Sequence, residues 1–202
     1  MSRTNRPYKR GEPFRDLTLF VIVCEGEVRE KEYFEYFNKY SQKVRVKTLP
    51  PQQGESSPKY ILDRAVKYVE EFDLSDTDQL WMVMDKDRWK FEEFAMIDEQ
   101  CKINANWAMA ISNPCFEVWL HAHVQNLDVL EQKSCQELKT QLNTTNVGGY
   151  RLTDFISNLR KAIERTEILD TEMHFIPKSM TTQVHRLAKE LIKFIGESKF
   201  PF

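Results

Sequence analysis

The sequence predicts an α/β protein: a four-stranded parallel sheet with flanking helices, followed by a helical C-terminal extension. Three observations carry this expectation. Strand-like and helix-like segments alternate from residue 17 to about residue 124. The first strand is a continuous apolar run, the pattern of a strand covered on both faces. Beyond about residue 124 only helical periodicity remains. Alternation of this kind implies βαβ units with right-handed crossovers.

Each element has its own warrant. Phe20, Val21, Ile22 and Val23 are β-branched or aromatic and uninterrupted, so a strand runs from Leu17 to Cys24. A helix is expected from near Val28, with Phe34, Phe37 and Tyr40 inward and Glu30, Lys31 and Glu35 on its surface. "KVRVKTL" alternates polar and apolar residues as a second strand, and "PPQQGESSP" is turn chemistry. Ser57 then caps a helix that Pro58 begins, its stripe formed by Ile61, Leu62, Ala65, Val66 and Val69. "LWMVMDKD" is strand three, "WKFEEFAMIDEQCKI" an amphipathic helix, and "NWAMAISN" strand four. "PCFEVWLHAH" opens a further helix at Pro114, after Asn113. The segments "SCQELKTQL", "RLTDFISNLRKAIERT" and "TTQVHRLAKELIKFI" are helical, separated by "NTTNVGGY" and "MHFIPKSM". The expected organisation is a flexible basic N-terminal arm over 1–16, a compact α/β domain over 17–124 and a helical extension over 125–202 packed on it.

Bulk composition narrows the function classes. With 202 residues the chain can bury a substantial core. Its formal net charge of −2 supplies no general attraction for polyphosphate. Nucleic-acid binding would therefore need a local basic patch or bound cations. The apolar run at 17–24 is too short to span a bilayer and is not followed by a cleavage site, so a cytoplasmic address is expected. Cys24, Cys101, Cys115 and Cys135 lack metal-ligand spacing and are expected as small core hydrophobes.

Chemistry is expected at the carboxyl ends of the strands, where open parallel sheets bind ligands. Glu25 ends strand one, and Asp85 and Asp87 end strand three. In a flavodoxin-like strand order of 2-1-3-4, strands one and three are neighbours, and these carboxylates converge. Residues i and i+2 of an extended segment face the same side, so Asp85 and Asp87 are expected to share one cation. Mutual repulsion raises the pKa of such groups, and a divalent ion relieves it. Mg²⁺ suits an oxygen-only donor set that leaves room for water and phosphate, with Mn²⁺ as the alternative.

A Glu after strand one with a D-x-D after strand three resembles the Rossmann-like Toprim domain of topoisomerases, primases and OLD-type nucleases. More narrowly, "VCEGEVREKEYFEYF" resembles the E-G-x-x-T/R-E-x-x-Y-F opening of the RloB-like (AbiLii-like) family. "DKD" and "SNPCFEVWLHAH" are similar to its D-x-D and S-N-P-x-F-E-x-W-L blocks, and "KSMTTQVHRLAKEL" to its C-terminal helix start. The resemblance implies a Toprim-like fold and a metal-dependent nuclease acting on DNA or RNA in anti-phage, abortive-infection-type defence, beside an ATPase partner. Self-association is left open. It places Glu25 as the general acid/base and as part of the metal site, with Asp85 and Asp87 as catalytic metal ligands. Glu117 is the family's further acidic residue, either a member of the metal shell or a first-turn Glu complementing the helix dipole. The alternative function is a nucleic-acid-binding or regulatory subunit of an ATPase complex.

Other candidates are weaker. His121 and His123 diverge on a helix, and His174 and His185 are isolated. "GGY" at Gly148 lacks the surroundings of a phosphate cradle. Trp81, Trp89, Trp107 and Trp119 are expected in the core, with Trp89 also placed to stack a base. For the Lys of OLD-type nucleases the chain offers Lys178 or Arg151.

Overall fold

The computed structural model describes residues 17–51, 55–130, 132–145, 151–170 and 175–202. The N-terminal arm, Gly148 and His174 lie outside them. Strands β1 (Thr18–Cys24), β2 (Val44–Leu49), β3 (Gln79–Asp85) and β4 (Trp107–Asn113) pair in parallel in the order β2-β1-β3-β4. A fifth strand, β5 (Thr181–Thr182), adds antiparallel to the end of β4, so the sheet has five strands rather than the expected four. Two residues are too few to show any periodicity, which is why the sequence gives no sign of β5.

The sheet is covered on both faces, as the apolar run in β1 requires. Val21, Val23, Leu80, Met82, Met84 and Ile111 pack under α2 (Pro58–Glu71) and α3 (Phe91–Ile103). Phe20, Ile22, Cys24, Val46 and Val83 face the other way. There they meet α1 (Arg29–Glu35), α4 (Glu117–Val124), α5 (Cys135–Thr145), α6 (Leu152–Ser157), α7 (Leu159–Glu167) and α8 (Val184–Ile195). Burying a Leu, Ile or Phe side chain contributes roughly 1.5–3 kcal/mol, so these two layers dominate the stability. Trp119 belongs to the core on this second face, against Tyr33 and His123. Ser57 occupies the N-cap position of α2 with Pro58 next, although its hydroxyl makes no capping bond. Among the described residues no helix is long and apolar enough to cross a membrane.

Three local departures shape the site. The helix expected from Pro114 begins at Glu117, because residues 114–116 first tie back to the end of β3. There the Asp87 amide donates to the Pro114 carbonyl (3.0 Å) and the Phe116 amide to Asp85 Oδ1 (2.8 Å). Asp87 has φ +23, so the chain has already left the strand and the alternation that would align Asp85 with Asp87 does not apply. Glu30, expected on a helix surface, is buried at 4% exposure.

Candidate active site

β1 and β3 end side by side, and each delivers one carboxylate to the same place. Glu25 Oε2 accepts the Asp85 backbone N–H at 2.9 Å, and its Oε1 accepts Trp89 Nε1–H at 3.1 Å. Arg64 of α2 donates to the Cys24 carbonyl at 2.8 Å, fixing the peptide just before Glu25. Asp85 is half-buried and held by the Phe116 amide. Glu117 is 3% exposed, the first residue of α4, and pairs with Arg29 at 3.1 Å and Lys139 at 3.9 Å. A cavity of about 350 Å³ is lined by Glu25, Glu27, Glu30, Asp85 and Glu117, with Arg29 and Lys139 among the same walls.

The expected site residues divide accordingly. Glu25, Asp85 and Glu117 come together on the cavity. Asp87 does not line it: its side chain is exposed on the turn beyond Asp85, although its charge still raises the proton affinity of Glu25. Glu30 joins the set in its place. Its position was legible, because Tyr33, Phe34 and Phe37 stand at i+3, i+4 and i+7 from it, which puts Glu30 on the buried stripe. Gly26 makes this possible, since a Cβ there would lie 1.8 Å from Glu30 Oε2. Lys178 and Arg151 are exposed and line no part of the cavity; the basic residues that do are Arg29 and Lys139.

Electrostatically the four inner carboxylates oppose one another. Burial pushes Glu30 up to about 8, helped by Glu25 and Glu117 and offset by the Gly26 amide and Lys139. Burial also raises Asp85 well above its ordinary value, with Glu30, Glu25 and Glu117 adding to it. Glu25 is raised by burial and restrained by its bonds to Asp85 and Trp89. Glu30 Oε2 is buried without a hydrogen-bond partner. An oxygen-only donor set with one orphaned oxygen and with the proton affinities of Glu25, Glu30 and Asp85 raised fits a hard divalent cation. Among the described residues, no three His, Cys, Asp or Glu side chains already stand grouped for ligation. Each Glu25 oxygen accepts one hydrogen bond and retains a second lone pair.

The described histidines, His121, His123 and His185, serve packing. His123 is buried, bonded to Tyr33 Oη and the Trp119 carbonyl, and burial pushes it down to about 3. His121 meets the Leu138 carbonyl, and His185 meets Asp170 and the Thr182 carbonyl. Trp89 spends its indole N–H on Glu25 and carries Arg88 over its ring at 4.7 Å. All four cysteines are free thiols, Cys24 and Cys115 buried, Cys101 and Cys135 half-buried. A larger cavity of about 690 Å³ lies along β4, lined by Trp81, Trp107 and His185, and its ions already pair as Asp170–Arg186 and Glu167–Lys189.

A five-stranded, mostly parallel sheet flanked by helices, with its acidic cavity at the carboxyl ends of β1 and β3, makes this an α/β protein consistent with a Rossmann-like fold. The chain belongs to the RloB-like protein family, whose model matches residues 20–191. Neither the search of curated proteins nor that of solved structures gave a match.

Proposed function

We propose that the chain is a Toprim-type, divalent-cation-dependent nuclease that cleaves phosphodiester bonds of DNA or RNA in anti-phage defence. The observation that supports this most is the convergence of Glu25, Glu30, Asp85 and Glu117 on one cavity, around a buried Glu30 oxygen that lacks a partner. Asp85, Glu117 and Glu30 would hold Mg²⁺ or Mn²⁺, with Asp87 next along the turn. A bound cation polarises a phosphoryl oxygen and lowers the pKa of water. Glu25 is the proton-transfer group: its raised proton affinity brings it toward the range a general base needs, and two N–H donors fix its orientation. The Phe116 amide holds Asp85 toward the cavity, and Arg64 keeps the Glu25 peptide in register.

A second reading is a nucleic-acid-binding or regulatory subunit of an ATPase-containing complex. It is favoured by one observation, that both Glu25 oxygens are engaged by hydrogen bonds and no ligating trio is assembled among the described residues. The test is to incubate the purified protein, alone and with an ATPase partner, with DNA and transfer RNA in Mg²⁺, Mn²⁺ or chelator. The nuclease reading expects metal-dependent fragments that disappear in Asp85→Asn. Intact substrate in every condition, with retained binding, would favour the second reading.

A further inference from the structure

An anionic substrate has to approach a cavity rimmed and lined by carboxylates, so the two cations on its walls need a role. Arg29 comes from the first turn of α1 and Lys139 from α5, and both point at Glu117 Oε1. The other Arg29 nitrogen, Nη2, donates to Asn143 Oδ1 at 3.3 Å, so the guanidinium spans α1, α4 and α5 at the cavity edge. Arg29 is 30% exposed and Lys139 46%, whereas the Glu117 side chain is 4% exposed. That asymmetry sets an order of events. Turning these cations to another anion strands a buried carboxylate, which is strongly unfavourable unless another positive charge replaces them. A divalent cation on the cluster is such a replacement.

Resting on the nuclease reading above, we propose that Arg29 and Lys139 are the phosphate-binding residues of this cavity. They pair with Glu117 until a divalent cation takes over that carboxylate, after which they turn to the substrate. The planar guanidinium fork of Arg29 matches two oxygens of one phosphodiester, and Lys139 adds a point charge beside it. Metal and nucleic acid then bind cooperatively, and by linkage each raises the affinity of the other by the same factor.

The test is fluorescence-anisotropy binding of a labelled single-stranded oligonucleotide, in Ca²⁺ and in chelator, over a series of salt concentrations. The wild type should bind at least roughly tenfold tighter in Ca²⁺, as one or two charge-assisted contacts to phosphate imply. Arg29→Ala and Lys139→Ala should each reduce the salt slope by about 0.7, one phosphate contact apiece. Arg29→Lys, which keeps the charge but not the fork, should retain the slope and lose affinity. Glu117→Gln is the decisive variant. With the carboxylate at 117 removed, neither cation is held there, so it should bind in chelator more tightly than the wild type does.

Unchanged slopes in Arg29→Ala and Lys139→Ala, with tight wild-type binding, would overturn this inference and leave the nuclease reading standing. So would Glu117→Gln binding in chelator no better than the wild type. A wild type that binds no oligonucleotide in any condition would overturn both.

Discussion

Glu30 holds its proton at neutral pH because burial and the neighbouring carboxylates Glu25 and Glu117 oppose its ionisation. Its folded pKa of about 8 lies above the ordinary 4.5. Between those values the native chain therefore keeps a proton that the unfolded chain has released, and this contribution to stability is lost as pH rises through the window. Glu30→Gln is expected to raise the metal-free melting temperature, by more at about pH 8.5 than at about pH 5. An equal gain at both pH values would mean Glu30 is already ionised. The roles of Glu25 and Asp85 separate in the same way. Asp85→Asn should lose cation binding and cleavage while melting higher in chelator, because one repelling charge is gone. Glu25→Gln should keep much of the cation affinity yet cleave about 10²–10⁴ more slowly in single turnovers.

Among the elements, the β1–α1 connection carries the site. Glu25 and Gly26 end the strand, and one helical turn later Glu30 folds back over Gly26. Gly26→Ala should therefore displace the Glu30 carboxylate rather than unfold the protein, since only a side-chain end stands in the way of the new Cβ. Weaker Mn²⁺ binding with a melting temperature near that of the wild type is the expected outcome, read by calorimetry and thermal melts. Retained affinity would mean Glu30 is not needed at the cation. The acidic ends of β1 and β3 were legible in the sequence because apolar runs stop abruptly at Glu25 and Asp85. The burial of Glu30 was written in the same periodicity, but its charge argued for the surface. Asp87 was the converse. Its D-x-D spacing suggested a second inward carboxylate, and only the positive φ of the turn reveals that the strand has ended.

For the whole molecule, the C-terminal extension reaches the site through the sheet. β5 pairs Thr182 with Ser112 and Thr181 with Asn113, at the point where β4 hands over to the loop bearing Phe116 and Glu117. Ser112 Oγ and Thr182 Oγ1 meet at 2.7 Å in a fully buried contact. Thr182→Val should cost about 1–3 kcal/mol by stranding the Ser112 hydroxyl, measurable by urea unfolding. No loss would mean the extension merely covers the sheet. The parallel pairing of the first four strands followed from apolar runs alternating with helices, and their order from a flavodoxin-like arrangement, whereas this closure depends on hydrogen bonds between distant segments, which no local pattern announces. The proposed activity stands on one cation site shared by elements far apart in sequence, and calorimetric titration of Mn²⁺ tests it directly. It predicts a saturable site in the wild type that is lost in Asp85→Asn and weakened in Glu30→Gln and Glu117→Gln. A wild type that takes up no Mn²⁺, or an Asp85→Asn variant that binds it as tightly as the wild type, would contradict it.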